Sequence, residues 1–111
     1  MDKESEQLLT QAQIYQQQIQ NILTQKSALS LELNEIKKAL EEIEKTSEKF
    51  VFKLSGPIMI RVDTKDIKKD LNEKENMINL RLNTIEKQES KLKEKIGELR
   101  TKIMKSEPDA G

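Results

Sequence analysis

The chain has 111 residues, 36% of them charged, 34% hydrophobic and only 3% aromatic, which excludes a sizeable globular core and suits long helices or a coiled coil. Twenty basic side chains balance twenty acidic ones, so the basic face of a nucleic-acid binder is absent. No apolar run is long enough to cross a bilayer, the polar start does not read as a signal peptide, and cysteine is missing; a cytoplasmic, soluble protein without disulfides is expected.

From Leu8 the apolar residues advance by alternating steps of four and three: Leu8, Ala12, Tyr15, Ile19, Ile22, then Leu29, Leu33, Ile36, Leu40 and Ile43. Lys26 is the one charged residue in the series. This is a continuous heptad seam, with Leu8, Tyr15, Ile22, Leu29, Ile36 and Ile43 at d and the others at a. No proline or glycine interrupts it. A helix from about Lys3 to Lys45 would be roughly 60 Å long and needs a partner along its length. Between Gln7 and Gln25 the chain carries no charge, and Leu9, Ile14 and Leu23 lie off the seam. One reading is a weakly polar helix face. The other is a surface kept free of charge so that apolar material can approach it, and the extra apolar residues favour this second reading.

The middle of the chain changes character. Phe50-Val51-Phe52-Lys53-Leu54 and Ile58-Met59-Ile60-Arg61-Val62 flank Ser55-Gly56-Pro57. β-branched and aromatic runs around a turn signal predict a β-hairpin, with strands near Phe50–Leu54 and Ile58–Val62. A lone two-stranded hairpin is marginal in water. This one is also strongly apolar, through Phe50, Phe52, Leu54, Ile58, Met59, Ile60 and Val62. Nothing else in the chain is left to cover it, so hairpins from several chains are expected to complete one another's sheet.

Asp63 or Thr64 is suited to start a second helix, and Asp66 complements its N-terminal end. The heptad resumes with Leu71, Ile78, Ile85, Leu92 and Leu99 at d and Leu82, Ile96 and Ile103 at a, alongside polar Lys68, Glu75 and Glu89. Met77 and Leu80 lie off the seam. The helix is expected to end near Lys105, with a flexible tail over 106–111. The expected organisation is thus one subunit: an N-terminal coiled-coil helix (1–48), a hairpin (49–63), a C-terminal helix (64–105) and the tail.

The two seams fold back as an antiparallel coiled coil. One constant register pairs Leu40 with Leu71, Leu33 with Ile78, Leu29 with Leu82, Ile19 with Leu92, Tyr15 with Ile96 and Leu8 with Ile103. The same register sets Lys26 opposite Ile85, and Ile22 opposite Glu89, in adjacent layers. Lys26 and Glu89 either snorkel to water separately or form a cross-helix pair that sets register.

No chemistry of a catalytic kind is legible. Histidine and cysteine are absent, which removes nucleophile–base pairs and zinc ligand sets. The carboxylates lie at helical spacing beside lysines, as on solvated faces. Ser55-Gly56 lacks the glycine pattern and lysine of a phosphate loop. Neither an enzyme nor a cofactor is expected.

The plan of arm, central hairpin and second arm resembles the β-class subunit of prefoldin, of archaeal type. Tyr15-Gln16-Gln17-Gln18-Ile19-Gln20 and Leu33-Asn34-Glu35-Ile36-Lys37-Lys38-Ala39-Leu40-Glu41-Glu42-Ile43 are similar to that family's first helix. Phe52-Lys53-Leu54-Ser55-Gly56-Pro57-Ile58-Met59-Ile60-Arg61 is similar to its hairpin, and Leu80-Arg81-Leu82-Asn83-Thr84-Ile85-Glu86-Lys87-Gln88-Glu89 to its second helix. The α class has a second hairpin pair in a longer chain. Pro57 departs from the pattern, standing where a residue with an N–H is expected.

The resemblance implies an ATP-independent chaperone. Two α and four β subunits would assemble through their hairpins into a double β-barrel platform, a hexamer from which six arms hang. The arm tips would hold unfolded clients and pass them to a group II chaperonin. Leu8, Leu9, Ala12 and Ile14 on one arm and Leu99, Ile103 and Met104 on the other are then the tip residues. The alternative is a structural coiled-coil scaffold or tether in which the hairpin is only a turn. The apolar hairpin argues against it, because a mere turn would be polar.

Overall fold

The computed structural model describes residues 2–106. The element order is α1 (Lys3–Lys45), β1 (Phe50–Ser55), β2 (Ile58–Asp63) and α2 (Thr64–Ser106). Each helix has 43 residues. Both strands run one residue further than their apolar runs suggested, because Ser55 and Asp63 pair with Ile58 and Phe50 and close the two ends of the ladder. Ser106, expected in the tail, is the last residue of α2; the rest of that expectation falls on 107–111, outside the described residues.

The ends of the helices are built from short-range hydrogen bonds. The Ser5 backbone N–H donates to Asp2 Oδ1 at 2.8 Å, which caps α1 and holds the Asp2 carboxyl below the usual carboxylate range. At the other junction the Lys65 N–H donates to Asp63 Oδ1 at 2.9 Å, so Asp63 ends β2 and caps α2 at once. Thr64 fastens α2 to the segment between α1 and β1: its hydroxyl donates to the Glu48 carbonyl at 2.8 Å and its N–H to the Lys49 carbonyl at 2.9 Å.

The chain divides into two units. The hairpin unit is Ala28–Leu82, and the terminal unit comprises the described residues up to Ser27 and from Asn83 on. In each unit a stretch of α1 packs against an antiparallel stretch of α2. Ile36 and Ile78 are buried in the hairpin unit, and Ile19, Ile85, Leu92 and Leu99 in the terminal unit, each at 5–8% exposure. No described side chain falls below 2%. That is the signature of a two-stranded seam, one layer deep, in which every layer touches water at its edges. On α2, buried or half-buried residues recur by three and four from Lys68 to Ile103, the heptad read directly as burial.

Candidate functional site

The hairpin is a two-stranded antiparallel sheet in which Val51 pairs with Val62, Phe52 with Arg61, Lys53 with Ile60 and Leu54 with Met59. Gly56 has φ +58°, while Pro57 is locked near a φ of about −65°. Positive φ at the first turn residue alone is the II′ arrangement, whose twist matches the flanking strands. Pro57 thus occupies the second turn position, where the ladder needs no N–H, and its departure from the expected residue type is accommodated.

Alternation sorts the side chains onto two faces. Phe50, Phe52, Leu54 and Met59 share one, with Arg61. Val51, Val62, Ile58 and Ile60 share the other, with Lys53. Phe50, Phe52, Leu54, Ile58, Met59 and Ile60 are all exposed, at 42–71%; Val62 is half-buried. Phe50 is the least open of the six because cations cover its ring: Arg61 Cζ lies 4.5 Å and Lys49 Nζ 5.9 Å from the centroid. Within the hairpin unit, Val51 and Phe52 line a groove of ≈ 640 Å³ with Ile43, Ile67, Leu71 and Met77. Both hairpin faces therefore contribute a residue to an apolar trough between the helices of this unit, and both keep exposed apolar side chains.

In the terminal unit the sequence-predicted tip residues divide into two sets. Leu99 is buried, and Leu8, Ala12 and Ile103 are half-buried, because all four occupy a and d positions and the helices stay paired there. Leu9, Ile14 and Met104 are exposed, as is Leu23. Leu9, Ile14 and Leu23 project from an α1 surface that is otherwise amide and hydroxyl, and Met104 from α2. Sequence reading did not single out Leu31, 62% exposed on α1 of the hairpin unit. Its signal was its place two residues past the seam leucine Leu29, on the outer helix face.

Lys26 and Glu89 are brought together. Lys26 Nζ donates to Glu89 Oε1 at 3.2 Å, and Lys93 Nζ stands 3.8 Å from Glu89 Oε2. The Glu89 side chain is 11% exposed and that of Lys26 36%, so the carboxylate sits in the seam and the ammonium reaches in from its margin. In the hairpin unit Lys68 forms an ion pair with Glu44, a contact that sequence reading missed. Lys68 stands opposite Ile43 in the inferred register, and Glu44 is the next residue, so the pairing signal was present.

The family model described as "Prefoldin subunit" matches residues 6–107. Prefoldin subunit beta of Thermococcus onnurineus is 43% identical over 106 residues, covering 94% of this chain and 91% of that one. Prefoldin subunit beta of Pyrococcus furiosus is 41% identical over 97 residues, 86% of this chain and 83% of that one. Among solved structures, the prefoldin beta subunit from Thermococcus strain KS-1 superposes with a TM-score of 0.84 at 36% identity, covering 96% of each chain.

Proposed function

Because the chain belongs to the prefoldin family as a β subunit, it is a chaperone subunit, and we propose that it is an ATP-independent holdase acting in the cytoplasm without catalysis. Its hairpin joins those of other β copies and of α-class subunits in a hexamer of two α and four β chains. The terminal ends of its helices hold unfolded proteins, prevent their aggregation and deliver them to a group II chaperonin.

The observation that carries this reading is the hairpin. Six large apolar side chains are exposed on a sheet with two unpaired edges. Such a surface is stable in water only when further strands complete it. The client role is supported by the terminal unit, where Leu9, Ile14, Leu23 and Met104 are exposed on helices. Scattered apolar contacts, a methionine among them, suit varied partners, and several weakly binding ends acting together give avidity.

The test mixes the purified chain with an α-class subunit and measures mass, then repeats the experiment with a chain trimmed before Gln16 and after Lys95. Both forms are expected to reach the hexamer mass. The trimmed form is expected to lose most of its suppression of aggregation of an unfolded protein. Full suppression by the trimmed form would place the client site elsewhere. A chain that stays monomeric in the mixture would favour the tether reading.

A further inference from the structure

One flank of the terminal unit has a charge imbalance that the seam does not require. Here Gln18 and Asn21 of α1 face Lys91 and Lys95 of α2 across a groove of ≈ 390 Å³, with Ile22 and Leu92 along it. In an antiparallel pair, residues flanking the seam usually match a cation on one helix with an anion on the other. Here α1 has no charge between Gln7 and Gln25, so the lysines meet only amides. Lys91 and Lys95 lie one helical turn apart and repel each other. Glu94 and Glu98 follow them by three residues, yet among the described residues neither lysine forms an ion pair. The groove therefore combines apolar contact, amides able to bond an extended backbone, and two uncompensated cations.

We propose that this groove takes an acidic stretch of an unfolded polypeptide, with carboxylates on Lys91 and Lys95 and an apolar side chain against Ile22 and Leu92. The proposal rests on the client-holding reading above and extends it inward from the helix ends, since the groove lies within residues 16–95: acidic-apolar segments are held ahead of neutral or basic ones. A polypeptide suits the groove better than a nucleic acid. The chain carries no net charge, and no aromatic side chain lines the groove to stack a base.

The test uses the full chain, alone and assembled with an α-class subunit, and three labelled peptides of equal length in which leucine alternates with glutamate, glutamine or lysine. Fluorescence anisotropy is expected to show the glutamate peptide bound roughly three- to tenfold tighter than the glutamine peptide, the scale of two exposed ion pairs. That preference should shrink as salt is raised. The Lys91→Gln, Lys95→Gln double variant, whose helical content is checked by circular dichroism, should bind both peptides with the affinity the wild type shows for the glutamine peptide. Equal binding of glutamate and glutamine peptides by the wild type overturns the proposal and leaves the client reading intact. So does an unchanged preference in the double variant, or displacement by a single-stranded oligonucleotide at a lower concentration than by glutamate peptide. A wild-type assembly that neither binds any peptide nor suppresses aggregation overturns both.

Discussion

The hairpin and the terminal unit both leave large apolar side chains in water, yet they do so in opposite ways. On the hairpin they stand close together, four of the six β-branched or aromatic, and are carried on strands whose outer N–H and C=O groups also lack partners within the sheet. In the terminal unit they are scattered, those of α1 among glutamines, and carried on helices whose backbone hydrogen bonds are satisfied internally. Apolar exposure alone does not tell what a surface is for. The state of the backbone beneath it does: an open strand edge demands a partner of fixed geometry, whereas a helix with scattered leucines accepts whatever apolar material arrives.

The contrast is broken most severely at the hairpin. Ile58→Lys combined with Ile60→Glu is expected to dissolve the assembly while leaving helical content intact. Burying two isoleucines stabilises an interface by about 3–6 kcal/mol, and two charges would have to be desolvated in their place. The Ile60→Glu change sets a carboxylate opposite Lys53, so the hairpin itself keeps a favourable cross-strand pair. Multi-angle light scattering decides the matter, since an unchanged mass would remove the platform.

A smaller effect separates buried seam from exposed flank. Ile78→Ala removes the side chain of the most buried residue among those described, 5% exposed, and is expected to destabilise by about 2–4 kcal/mol in urea unfolding. Leu31→Ala, on the exposed face of the same unit, should stay within about 0.5 kcal/mol. Comparable losses at both positions would mean that the outer face is covered in solution.

The smallest effect concerns the charged seam of the terminal unit. Lys26→Glu leaves two carboxylates beside each other and should destabilise by about 1–2 kcal/mol; adding Glu89→Lys should recover part of it. The coupling itself should be about 1 kcal/mol or less, since Lys26 is 36% exposed on its side chain and solvent screens the pair. A double-mutant cycle at low and high salt measures it. Strict additivity would show that Lys26 and Glu89 do not act together, and with it would go the proposal that they set register.

Much of this architecture was legible because a heptad states period, face and partner in one pattern. The steps of three and four that place Ile19, Ile36, Ile78 and Leu92 on the seam are the same steps that bury them. The hairpin was legible from the shift to Phe, Val and Ile around Gly56. Less visible was anything that depends on how far pairing persists. The resemblance puts Leu8 and Leu99 among the tip residues, while their a and d positions also put them on the seam, and with α2 continuing to Ser106 Leu99 is covered. The turn type was also hidden until the sign of φ at Gly56 was set beside the fixed ring of Pro57. The clamp at Thr64 joins residues distant in sequence through backbone carbonyls, which have no signature in side-chain pattern.

That clamp has a consequence for how the chain tolerates change in length. β2 passes into α2 with no residue between Asp63 and Thr64, and Thr64 is bonded back to Glu48 and Lys49. One residue inserted at this junction would rotate α2 by about 100° about its own axis, carrying Leu71 and Ile78 out of phase with Leu40 and Leu33. The same insertion beside Ser47, in the segment that is neither helix nor strand, would only lengthen a connector. The two crossings between hairpin and helices are thus unequal: one keeps the phase of the seam, and the other absorbs slack.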